Sequence, residues 1–144
     1  MSKFANRRSP SGPAVGLQLP FYGASPSALA ITEFLGLGGT GTAATESDAQ
    51  YRMPARGRLD TLLINNNPVG TDVQNVVYQA RKNGANVGSP VTIASNAAGP
   101  VKVDLSSVGV AEGDLVSVSV TSLVAVGTVP VARALLTWVP ASNI

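Results

Sequence analysis

The sequence predicts an all-β protein, a single jelly roll or β-sandwich of about eight antiparallel strands behind an extended N-terminal arm. Three observations carry this reading. All but one of the 19 valines lie beyond residue 68, in short runs divided by Gly, Pro, Asn or Asp, and β-branched residues so arranged favour strands over helices. The 15 glycines and 10 prolines among 144 residues supply frequent turns. That length is one ordinary domain, able to hide roughly 70% of its unfolded surface in a single core. Two segments are expected: an arm over residues 1–27 and a jelly-roll domain over residues 28–144.

The elements follow in order. Residues 25–37 admit a short helix capped by Ser27 or a strand. The alternation of Ile31, Glu33 and Leu35 with Ala30, Thr32 and Phe34 favours a strand over 31–37, and a helix so short is marginal alone. Residues 50–53 form a second short strand. Residues 59–64 and 131–139 are apolar on both faces, which places such strands inside a sandwich or at an interface. Over 73–82, Val76, Tyr78 and Ala80 share one face, and the run ends at Asn83-Gly84, a pair suited to the positive φ of a tight turn leading to 87–93. Over 100–105, Val101, Val103 and Leu105 oppose Lys102 and Asp104. Over 115–121, Val116, Val118 and Val120 point inward, leaving Ser117, Ser119 and Thr121 on a wetter face. Asp114 caps its own backbone in the turn before that strand. No helical pattern is supported beyond residue 58.

The composition removes most catalytic chemistry. There is no Cys and no His, hence no thiolate nucleophile, imidazole base or common zinc site. The glycine-rich stretch at 36–41 lacks the following Lys-Ser/Thr of a phosphate loop. Asp60, Asp72, Asp104, Glu112 and Asp114 have no spacing that converges two carboxylates. The expectation is a non-enzyme without cofactor, metal or small-molecule substrate. Trp138, the single Trp, reads as core packing or, alternatively, as a sugar-stacking platform. A net charge of +2 with few aromatics does not describe a nucleic-acid surface. No run of apolar residues reaches a membrane span, and residues 1–12 are polar and followed by Pro13, so the chain reads as soluble and made without a cleavable address.

Three stretches carry a resemblance: Gly57-Arg-Leu-Asp-Thr-Leu62, Tyr78-Gln-Ala-Arg-Lys-Asn-Gly84, and Val110-Ala-Glu-Gly-Asp-Leu-Val-Ser-Val118. Over about residues 50–140 the chain resembles small jelly-roll proteins on the virions of tailed bacteriophages, whose fold is similar to the trimeric tumour-necrosis-factor head. Members are capsid decoration or cement proteins, head fibres, or tail-fibre knobs. The resemblance implies a homotrimer on the outer surface of a virion. The chain has no Gly-X-Y shaft or long coiled coil, which counts against a fibre.

The N-terminal residues then favour decoration. Pro10, Pro13, Pro20 and Pro26 favour extended backbone, and between them lies more apolar surface than a solvated tail carries. Lys3, Phe4, Arg7, Arg8, Val15, Leu17, Leu19, Phe21 and Tyr22 are the expected shell-binding residues, and the major capsid protein is the expected partner. The basic groups, Lys3, Arg7 and Arg8 and then Arg52, Arg56 and Arg58, read either as ordinary solvated surface or as docking charge. Leu59, Leu63, Val131, Leu135 and Trp138 are the expected subunit interface. The expected role is to bridge capsid subunits and stabilise the shell. The alternative is a receptor- or glycan-binding knob, acting through loops such as 65–71 or 95–99.

Overall fold

The computed structural model describes residues 17–23, 32–38, 42–67, 75–94, 97, 99–122 and 131–141. They form twelve strands: β1 (Leu17–Gly23), β2 (Thr32–Leu37), β3 (Thr42–Ala43), β4 (Tyr51–Arg52), β5 (Gly57–Asn67), β6 (Asn75–Lys82), β7 (Ala85–Asn86), β8 (Val91–Ala94), β9 (Val101–Asp104), β10 (Gly109–Val110), β11 (Leu115–Ser122) and β12 (Val131–Pro140). All pairings are antiparallel. The fold is all-β, as the valine runs and turn residues predict.

The principal strands make two layers. One runs β1-β12-β5-β9, the other β2-β11-β6-β8, and consecutive strands of the chain repeatedly cross between them. This is the double-layer ordering of a jelly roll. β2 belongs to both layers: Thr32 to Phe34 pair with β11, whereas Gly36 and Leu37 pair with β1. One curled sheet thus closes around the core, and the corner falls at a residue with no Cβ. Gly36 is a strand residue, as the strand expected over 31–37 has it, and the chain turns at Gly38 with φ +68.

The core lies between the layers. Phe21, Leu35, Leu59, Leu62, Ile64, Tyr78, Val118, Leu136 and Trp138 are buried in one cluster, joined by Met53 and Leu105 from connections. In β5 the pairing with β12 slips at Asp60, so Thr61 opposes Thr137 and Leu59 opposes Trp138. This bulge turns Leu59 and Leu62 to the same side. Its freed backbone groups are taken by the next connection: Leu59 N–H donates to Val108 O at 2.9 Å and Leu105 N–H to Asp60 O at 2.7 Å.

Three expectations are corrected. The arm does not extend to residue 27, because residues 17–23 form a strand paired along its whole length with β12. The strand expected over 87–93 begins only at Val91, because Val87 and Gly88 turn to accept hydrogen bonds from Gln79 Nε2. The serine face of β11 is not wet: Ser117 and Ser119 are 1% and 5% exposed.

Candidate interaction surface

Strand parity decides what the first layer shows to the outside. In β1, Leu19 and Phe21 point inward, and Gln18, Pro20 and Tyr22 point outward. Their outward partners on β12 are Thr137, Leu135 and Arg133, and those on β5 are Thr61, Leu63 and Asn65. The outer face consequently has three rows across the strands. The middle row, Pro20, Leu135, Leu63 and then Lys102 of β9, is apolar over three of its four members. A freely solvated antiparallel face alternates to polar residues there.

This row floors a concave groove of about 270 Å³, walled by Tyr22, Asn65 and Arg133. The Arg133 guanidinium lies 5.9 Å from the centre of the Tyr22 ring, a cation–π contact that props both side chains at one end. The groove presents an apolar floor with a cationic rim, suited to an apolar protein surface with a nearby carboxylate. The described residues hold no cluster of His, Cys, Asp or Glu that would bind a metal.

The outer face of the second layer is covered at one end, around Ser117 and Arg81, and its other row, Thr32, Thr121, Val77 and Thr92, stays open to water. The 3-10 turn Glu46–Asp48 lies over it, with Arg81 Nε donating to Glu46 Oε1 at 2.8 Å and Ser117 Oγ donating to the same oxygen at 2.7 Å. Arg81 also donates to Asn86 Oδ1 and the Gly84 carbonyl, and stands over the Phe34 ring. The hydrogen bond from Arg81 holds the Glu46 carboxyl below the ordinary glutamate range, helped by Ser117 and opposed by partial burial. This network keeps Ser117 dry.

The stretches singled out in the sequence meet at one end of the molecule. Asn83 has φ 51, the left-handed conformation a tight turn needs. Its N–H donates to Leu115 O at 2.7 Å, its Oδ1 accepts Leu115 N–H at 2.9 Å, and its Nδ2 donates to Asp114 Oδ1 at 3.0 Å. Asp114 Oδ2 accepts Ala111 N–H at 2.8 Å, the expected self-capping turn. That backbone bond, followed by the Asn83 bond, depresses the Asp114 carboxyl below its usual range. These residues clamp one turn to another.

The residues named from sequence separate into distinct places. Lys3, Phe4, Arg7, Arg8 and Val15 lie outside the described residues. Leu19 and Phe21, expected to touch a shell, are buried in the chain's own core, and Phe21 is only 1% exposed. Leu17 is 48% exposed and Tyr22 walls the groove. Of the expected interface, Leu59 and Trp138 point into the core, and Leu63 and Leu135 lie on the outer face. Val131 opens β12 opposite Asn67. Trp138 packs beside Gly57 with its ring buried, which removes it as a stacking platform. Among the basic residues, Arg58 pairs with Asp60 at 3.0 Å and Arg52 reaches the Gly113 carbonyl. Sequence reasoning did not place Pro20 or Arg133 on this face, and it put Asn65 in a loop over 65–71, whereas Asn65 lies in β5. The double-sided apolarity of 131–139 was the available signal, but without the parity of β1 it did not say which residues face out.

No family model, curated protein or solved structure matches this chain.

Proposed function

We propose that this chain is a structural protein of a virion that decorates a bacteriophage-type shell, with copies associating, as a homotrimer, through the outer face of the β1-β12-β5-β9 layer. The single observation that carries the reading is the outward row Pro20, Leu135 and Leu63 beneath an open groove. Burying that row removes apolar surface from water at about 25 cal/mol per Å². Four strands about 4.8 Å apart and some seven residues of about 3.4 Å describe a face of roughly 450 Å². An association through it alone stands at the low end of specific interfaces. Many copies on a repeating shell would add avidity to such contacts. Residues 1–16, with Lys3, Arg7 and Arg8, would reach the major capsid protein. In this reading the work is mechanical: decoration adds contacts to the assembled shell and favours it by mass action.

The test is the ratio of this chain to the major shell protein in purified particles, by quantitative mass spectrometry. A simple fraction of the shell count supports decoration. A few copies per particle would transfer the reading to a receptor-binding knob, and absence from particles would end it.

A further inference from the structure

Asn83 and Gly84 form the corner between β6 and β7, exposed to water. In an Asn-Gly pair the backbone nitrogen of the glycine approaches the asparagine side-chain amide carbon readily, because glycine has no side chain to obstruct the path. Here that amide is held elsewhere. Its oxygen accepts Leu115 N–H at 2.9 Å and its nitrogen donates to Asp114 Oδ1 at 3.0 Å. The Asn83 N–H is fixed to Leu115 O at 2.7 Å, so all three bonds draw the residue towards the start of β11.

We propose that Asn83 is a deamidation site gated by this clamp, and that the product cannot rebuild the clamp. When the turn swings free, the Gly84 nitrogen gives its proton to water or hydroxide and bonds to Cγ of Asn83. The amide nitrogen Nδ2 takes a proton from water, the bond from Cγ to Nδ2 breaks, and ammonia leaves. Water then opens the cyclic imide, leaving aspartate or isoaspartate at position 83. No electron donor or acceptor is required. The new side chain presents a carboxylate oxygen where Nδ2 donated, directly against the Asp114 carboxylate. The Lys82 ammonium is bonded to the Gly109 carbonyl at 3.0 Å and acts on Asp114 only through its field, the weakest of the influences on that carboxylate. An isoaspartate would also lengthen the backbone of a turn that joins Lys82 opposite Ala85. The modification therefore acts in one direction, loosening the junction of β6 with β11 as the protein ages.

The test follows the mass of the peptide containing Asn83 while the full chain is incubated at mildly alkaline pH, in native buffer and in urea. Conversion is expected to be at least about tenfold slower in native buffer, because it waits on local opening. Asp114→Ala is expected to raise the native rate several-fold with the strand signal in circular dichroism retained. As an independent reading, Asn83→Asp should melt below the parent. Combining it with Asp114→Asn should recover most of the loss, since that exchange restores one donor and one acceptor in reversed order. Equal rates in buffer and urea, an Asn83→Asp variant melting with the parent, or a double variant no better than the single would each overturn the proposal.

Discussion

Glu46 is set by partners far along the chain: Arg81 and Ser117 both donate to its Oε1 atom. Their hydrogen bonds depress its folded pKa, so the stabilisation exists above the unfolded glutamate value and is lost as the pH falls through the folded value. Urea denaturation of parent and Glu46→Gln should differ by about 1 kcal/mol at neutral pH, because water still reaches part of the Arg81–Glu46 pair and screens it. The two curves should converge as the pH falls below about 4. Phe21 belongs to packing. Phe21→Ala is expected to cost about 3–5 kcal/mol in the same measurement. The sequence and structure agree best on residues whose roles are local. Asn83 and Asp114 are recognisable as turn residues because their own backbones need them. Glu46 is not, because nothing near it in the chain announces an arginine from another strand.

β1 shows why elements are harder than residues. Pro20 and its neighbouring prolines suggest an arm, because proline removes a ladder donor. The structure makes this harmless: Pro20 O accepts Gly38 N–H at 2.9 Å, so the missing donor lies on the side where β2 has ended. The apolar residues assigned to a partner are satisfied within the chain, Leu19 opposite Leu136 and Phe21 opposite Ala134. Removing residues 1–23 should abolish cooperative melting. β5 offers a finer case. A Cβ on Gly57 would collide with the Val139 carbonyl and the Trp138 indole, and the first of these cannot swing aside. Gly57→Ala is expected to lose about 1–3 kcal/mol in thermal melting.

At the scale of the molecule, short valine-rich runs divided by turn residues made the fold class legible, whereas the order of strands was not. The partner of Leu17 is Trp138, near the other end of the chain, and no local pattern records that pairing. The outer face was legible only in part for the same reason: Leu63 and Leu135 become a patch once β1 brings Pro20 beside them. Leu135→Glu tests the patch. It should leave the circular dichroism spectrum intact, because Leu135 lies outside the core, while light scattering at rising concentration shows the associated fraction falling. A variant that associates like the parent would remove this face from the proposed assembly.

The cover that the 3-10 turn Glu46–Asp48 and Arg81 provide over the second layer gives the particle a valence. One broad side is partly covered by its own chain and otherwise polar, with Thr32, Thr121 and Thr92 in its open row, and the other carries the apolar groove. A body with a single adhesive side forms closed clusters and stops, whereas two such sides would let copies add without end. Any long-range regularity in an array of this protein would then be borrowed from the surface beneath it, and the purified chain should reach a fixed cluster size as concentration rises.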